Sequence, residues 1–339
     1  MLRSILVPLD GSKLAERALA YATAISVPTG ARLILMRAIN ASDTRGVAAR
    51  YLFDIAAELR ARGFVCETVT PLGSAAAWIA AEAGVGPVDL VAMTTHGRSG
   101  PGRWLFGSVA ESVVASSPVP VLVERAWQPI RRESLLTDQP TLLVPLDGST
   151  FAESALEPAA GLAEDLGAEL VLLRVEHAAT DVLRDEYGRT IAYLDELEDR
   201  TEQLAGDYLD QLASGARRRW PGVPIHTKVQ FGIPAASIAE AATTTGAALV
   251  FMATHGRTGL RRAVMGSVAG QLLERGSTPL VLIRPSATPT TLVPTCIGRS
   301  GRLSCQCPSV KLTIVGILET RCEGGTSDEI RAKGTERQR

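Results

Sequence analysis

The sequence predicts an α/β fold built twice: two doubly wound parallel-sheet domains, each with strand order 3-2-1-4-5. Three observations carry the prediction. The strand-and-turn phrase ILVPLDGSK at 5–13 returns as LLVPLDGST at 142–150. Short apolar runs alternate with helical periodicity along both halves of the chain. A glycine-rich loop ending in Gly-Ser follows the fourth apolar run of each half.

Each element has its own signal. ILVPL is apolar at every position, which suits a strand covered on both faces. Leu14, Ala18, Ala22 and Ile25 then fall at helical spacing. RLILMRAI is a second strand, Tyr51, Ile55 and Leu59 mark the next helix, and VCETVT is a weaker third strand. SAAAWIAAEA is a helix, DLVAM a fourth strand, GSVAESVVASS a helix after the glycine loop, and VPVLVE a fifth strand. The second half repeats the order with LLVPL, ELVLLRV, IHTKVQ, ALVFM and PLVLIR. Its longer middle helix is expected to bury a stripe of Leu194, Leu197, Leu204, Tyr208 and Leu212. Alternating strands and helices with doubly covered strands imply a parallel sheet between two helix layers. Right-handed crossovers favour the order 3-2-1-4-5. Such a sheet opens a ligand crevice between the carboxyl ends of strands 1 and 4.

The repeat has two registers. The offset from Asp10 to Asp147 is 137, and 11 of the 16 positions from Ser4 to Leu19 agree at it. MTTHGRSGPGRWLFGSVA (93–110) returns as MATHGRTGLRRAVMGSVA (252–269), an offset of 159. Ala38 and Val175 keep the first offset and Gly63 and Gly222 the second. A tandem duplication with 22 extra residues in copy two follows, expected between its second strand and the end of the next helix. The expected limits are 1–127 for domain one, 128–139 for a polar, proline-bounded linker, 140–286 for domain two and 287–339 for a disordered tail.

Bulk composition excludes several classes. The 339 residues are 46% apolar and 21% charged with a net charge of −1, so neither nucleic acid nor an anionic membrane is expected as partner. No apolar run is long enough to span a membrane and no signal-peptide pattern opens the chain, which makes cytoplasmic residence the expectation. Cys66 stands alone in the body, in keeping with a reducing compartment. Cys296, Cys305, Cys307 and Cys322 crowd the tail in a spacing poor for zinc.

Two sets of residues carry chemistry. Gly97, Gly100, Gly102 and Gly107 precede a helix starting at Ser108, and Gly256, Gly259 and Gly266 precede Ser267. Such a loop turns backbone N–H groups inward, and a helix start adds free N–H groups and the positive end of its dipole, making a phosphate seat. The alternative is a tight connection shaped by glycine alone. Asp10 and Asp147 end strand 1, where a carboxylate can accept from a ribose or amine, hold a metal near phosphates, or cap a helix. Ser12 and Ser149 are expected N-caps. His96 and His255 are read as loop-ordering residues, and Arg98, Arg103, Arg257, Arg261 and Arg262 as solvated or phosphate-touching. No P-loop motif occurs, and the glycine loop follows strand 4 rather than strand 1, which argues against a dinucleotide fold.

ILVPLDGS, LVAMTTHGRSG and LFGSVAESVV, with their second-copy counterparts LLVPLDGS, LVFMATHGRTG and VMGSVAGQLL, resemble the universal stress protein family. The resemblance implies a tandem member with a Rossmann-like, adenine-nucleotide-binding fold. It implies ATP as ligand, with Mg²⁺ open and AMP as the alternative. The family's Gly-x-x-Gly, nine residues, Gly-Ser/Thr motif maps onto Gly97, Gly107 and Ser108, and onto Gly256, Gly266 and Ser267. Its first Gly is Thr94 in copy one and Ala253 in copy two. The adenine-packing position maps onto Ala38 and Val175. Val175 and the longer second copy imply tighter binding in copy two. The resemblance also implies pairing of the fifth strands into an internal pseudo-dimer, with further homodimerisation open. The implied role is a non-enzymatic, nucleotide-dependent stress-response regulator with protein partners. A slow ATPase or nucleotidyl transferase and a scaffold without nucleotide are the alternatives.

Overall fold

The structure is a computed structural model that describes residues 1–40, 45–95, 107–125, 128–177, 183–184, 190–192, 194–254 and 265–285. Copy one runs β1 (Ser4–Pro8), α1 (Lys13–Glu16), α2 (Ala18–Thr29), β2 (Arg32–Met36), α3 (Arg45–Ala61), β3 (Cys66–Val69), α4 (Ala75–Val85), β4 (Leu90–Thr94), α5 (Ser108–Ser116) and β5 (Val121–Glu124). A 3₁₀ turn, Arg132–Leu135, leads into copy two. That copy runs β6 (Thr141–Leu146), α6 (Thr150–Glu153), α7 (Leu156–Leu166), β7 (Glu169–Glu176), β8 (Leu183–Arg184), β9 (Thr190–Ala192), α8 (Leu194–Arg219), β10 (Ile225–Phe231), α9 (Pro234–Thr244), β11 (Leu249–Ala253), α10 (Ser267–Arg275) and β12 (Leu280–Ile283). The expected tail, 287–339, lies outside the described residues.

Ten strands form one sheet in the order β10-β7-β6-β11-β12-β5-β4-β1-β2-β3. Read from either end, each half has the expected 3-2-1-4-5 order. Pairing within each half is parallel, and the halves join where β12 meets β5 antiparallel, Val281 opposite Leu122. This is the junction expected of an internal pseudo-dimer. The strands alternate between two cores: Ile5, Val7, Leu33 and Leu35 face one, Leu6, Ile34, Met36 and Val91 the other. Helices α2, α3, α7 and α8 cover the first face, and α4, α5, α9 and α10 the second. That double cover explains strands that are apolar at every position. Across the seam the copies exchange matching contacts. Arg125 donates to the carbonyls of Glu274 and Gly276 at the end of α10, and Arg284, its counterpart in copy two, donates to Ser116 C=O at the end of α5 (3.4 Å). Cations at helix carboxyl ends are favoured by the dipole.

The segment between the copies packs against copy one. Leu135 is buried, and Arg131 N–H donates to the Tyr21 hydroxyl at 2.8 Å. Burial is the main cause that pushes the Tyr21 phenol up to about 12. Arg17 reaches both Glu124 (2.5 Å) and the Gln128 carbonyl.

The insertion also divides. Leu52, Ala56 and Leu59 of α3 and Leu209, Ala213 and Ala216 of α8 pack alike in the core, at an offset of 157. Most of the insertion therefore precedes the packed helix, where the β8–β9 hairpin lies, and only the remainder follows its last packed residue. The expected α8 stripe is corrected accordingly. Leu204 is 62% exposed, and Ala205, Leu209, Ala213 and Ala216 form the buried line, with Tyr208 and Leu212 beside it. Choosing the large residues puts the stripe one position out of phase, since close packing against the sheet favours alanine there. The side chains of Leu194 and Leu197 lie outside the described residues.

Candidate functional site

Two turns meet at the carboxyl end of each half-sheet. In the first, Asp10 Oδ1 accepts from Ser12 N–H (2.9 Å) and Ser12 Oγ accepts from Ala15 N–H (3.1 Å), capping α1. In copy two, Asp147 Oδ1 accepts from Ser149 N–H (2.9 Å) and from the Ser149 hydroxyl (2.5 Å), whose oxygen accepts from Ala152 N–H (3.2 Å). The serines are the caps. The aspartates tighten the turn and are half-buried at the mouth of the crevice.

The second turn differs in kind. Gly107 and Gly266 precede α5 and α10 in extended conformations, φ −68° and −64°, and as glycines bring no side-chain cap of their own to either helix. Gly107 N–H donates to Thr95 C=O (2.7 Å) and Gly266 N–H to Thr254 C=O (2.6 Å), closing each loop at its base. A helix start of this kind, with glycine at the cap, presents first-turn N–H groups and the positive end of the dipole, the chemistry that suits an anion.

In copy one the two turns line a cavity of ≈ 270 Å³. Asp10, Ala38, Gly107 and Ser108 all line it, together with Met36, Ile79, Met93, Thr94 and Thr95. Sequence reasoning misses Met36, Ile79 and Met93 as site residues; for the methionines, a position at strand ends beside the crevice is the available signal. In copy two Asp147 follows β6, Val175 lies half-buried on β7 against the same core face, and Gly266 and Ser267 start α10. Thr94 and Ala253, which replace a glycine of the resembled motif, close β4 and β11 and are both buried. Gly97, Gly100, Gly256 and Gly259, with His96, His255 and the loop arginines, lie outside the described residues. Among the described residues no group of three or more His, Cys, Asp or Glu could hold a metal ion.

A charged cluster lies behind the first turn. Arg37 and Arg174 are 9% and 8% exposed. Their guanidinium carbons lie 5.0 Å from the Tyr51 ring and 5.5 Å from the Tyr208 ring. The tyrosine hydroxyls donate to Glu16 (3.1 Å) and Glu153 (3.0 Å). Burial first, then the neighbouring carboxylates, raises both phenols above their usual range, so both stay protonated.

Comparison with known proteins agrees with this architecture. The profile of the Universal stress protein family matches residues 1–125 and 140–284. A universal stress protein of Mycolicibacterium smegmatis is 29% identical over 197 residues, and one of Mycobacterium tuberculosis is 29% identical over 202. Each alignment covers 58% of this chain and 62% of the relative, so the chain spans less than two thirds of the length of these relatives. The crystal structure of a universal stress protein from Archaeoglobus fulgidus shares the fold, with TM-score 0.61 at 22% identity over 83% of this chain and 98% of that one. Among the described residues no helix is long and apolar enough to cross a membrane. With matched segments accounting for both halves of the ten-stranded sheet, the chain belongs to the universal stress protein family and carries two of its domains in tandem.

Proposed function

We propose that each copy binds an adenine nucleotide and that the protein is a nucleotide-dependent stress-response regulator. ATP is the first candidate and AMP the alternative. The observation that carries this reading is the copy-one cavity, which offers a hydrogen-bond acceptor (Asp10), an apolar wall (Met36, Ile79, Met93) and the glycine-capped start of α5. An apolar wall suits a base, a carboxylate suits hydroxyl or amine donors, and a helix start suits phosphate. The volume, ≈ 270 Å³, gives room for a nucleoside-sized group with its phosphates along α5. Domain limits of 1–127 and 140–286 belong to the same proposal.

The test is a thermal melt and titration calorimetry of the full chain with ATP–Mg²⁺ and AMP. A ligand at a hundred times its dissociation constant adds about 2.7 kcal/mol to the folded state. A saturable shift with either nucleotide is expected. No shift and no heat at millimolar concentration would move the protein to the scaffold class.

A further inference from the structure

We propose that Arg37 and Arg174 are positioning residues that hold the Asp-Gly turns from behind and thereby set nucleotide affinity. The affinity part rests on the nucleotide reading above; the hold on the turn does not.

The placement follows from strand alternation. Met36 and Ala38 line the copy-one cavity, so Arg37 between them is sent to the opposite face, under α1 and α3. A guanidinium buried there is costly unless it has partners. In copy one it stacks over the face of Tyr51 and lies against the Asp10-Gly11 turn. Gly11 has φ +90°, and a Cβ built on it would lie 3.1 Å from Arg37 Nη1. Gly148 has φ +83°, and its Cβ would lie 2.6 Å from Arg174 Nη1. The guanidinium therefore fills the space that a side chain at the turn would need. The positive φ favours glycine at both turns, and a Cβ there would have to push the guanidinium aside.

The cluster closes into a ring. The arginine comes from the end of the second strand or the residue just after it, and the tyrosine from the next long helix. The glutamate comes from the short helix that the Asp-Gly-Ser turn itself opens. Motion of the turn must disturb a buried ion, a ring contact or a hydrogen bond. The ring is complete in both copies although the path from Arg174 to Tyr208 carries most of the insertion and the path from Arg37 to Tyr51 does not. Copy two adds one bond, Arg174 Nε to Glu176 (2.6 Å), where copy one has Ile39.

The experiment compares the Arg37→Met/Arg174→Met double variant and its Lys/Lys counterpart with the wild type. It reads amide exchange at Ser12 and Ser149, whose N–H groups donate to the aspartates, and ATP affinity by calorimetry. Exchange at those two amides is expected to quicken about tenfold while the strand amides of Leu6 and Leu143 stay protected. Affinity is expected to fall about tenfold with methionine and to recover in part with lysine. Unchanged exchange and affinity in a folded methionine variant would overturn the proposal. Faster exchange in a protein that binds no nucleotide, wild type included, would uphold the hold on the turn and overturn the affinity part with the nucleotide reading. If the methionine variant does not fold, Tyr51→Phe/Tyr208→Phe, which deletes two hydroxyls, is measured in its place with a smaller acceleration, about threefold, expected. No acceleration there overturns the proposal equally.

Discussion

The two copies build one crevice from two different supports. Both keep the Asp-Gly-Ser turn, the glycine-capped helix start and the buried arginine. They part at the walls: Val175 stands where copy one has Ala38, and Ala253 where it has Thr94. They part again at the seam. Copy one buries the Arg17–Glu124 pair, whose counterparts in copy two are Ser154 and Ile283. Duplication thus retained the turn, the helix start and the arginine behind them and let the flanking supports change.

The seam offers the largest break in that comparison. Glu124 is almost fully buried, and its Oε2 and Arg17 Nε have no hydrogen-bond partner among the described residues. Arg17→Met leaves a buried carboxylate without its cation and is expected to cost about 3 kcal/mol in urea unfolding. Arg17→Ser with Glu124→Ile, copying the second half, is expected to return to within about 1 kcal/mol of wild type. A double variant no better than the single would show that the two halves do not share this packing.

The turn glycines come next. Gly148→Ala is expected to cost about 2 kcal/mol, since both the positive φ and the Arg174 contact resist a Cβ. Gly11→Ala has the wider 3.1 Å contact and is expected to cost less in the same unfolding series.

At the anion seat, stability and binding should move in opposite directions. Gly107→Asp places a capping carboxylate at the start of α5, expected to add a few tenths of a kcal/mol to stability. The same charge is expected to cut copy-one ATP affinity by about tenfold, and Gly266→Asp does the same in copy two. Calorimetry on each variant then counts the sites separately.

The wall difference is smaller. Ala38→Val, measured with the second site blocked by Gly266→Asp, is expected to raise affinity about fourfold, the worth of roughly one buried methylene. No gain would mean that the second strand does not touch the base.

The smallest effect is a pH slope. Burial, opposed by Arg17, holds the Glu124 carboxyl above its usual 4.5. A raised folded-state value contributes stability that is fully present below the unfolded value and is lost as pH rises through the folded one. Wild-type stability is therefore expected to fall slightly as pH climbs from about 4.5 toward 7, and Glu124→Gln to flatten that slope. A slope unchanged in the variant would assign it to another group.

Much of this is legible in the residues. Uniformly apolar strands announce a sheet covered twice, and the repeated phrases locate both turns of the crevice. Helix phase is not legible, because α8 packs through Ala205, Ala213 and Ala216, which carry little hydrophobic signal next to an exposed Leu204. The ring behind the turn is hidden for another reason. Arg37 is one residue of an apolar strand run and Tyr51 one of a helix stripe, and nothing in the sequence links them until the chain brings them within 5.0 Å. Two offsets, 137 for Glu16 and Arg37 and 157 for Tyr51, relate the second ring to the first, so no single register aligns them.

The β5–β12 seam has a consequence for behaviour in dilute solution. When two identical subunits pair edge to edge, assembly is second order and dissociates on dilution. Here both edges belong to one polypeptide, so their meeting is first order and governed by tether length rather than protein concentration. Nor must the two crevices obey strict symmetry: a substitution in one half alters one site and leaves its counterpart as it was. Fusing the pair therefore permits a chain whose two halves differ in strength, which for sites of the proposed kind would mean a response over a wider range of ligand concentration than a symmetric pair can give.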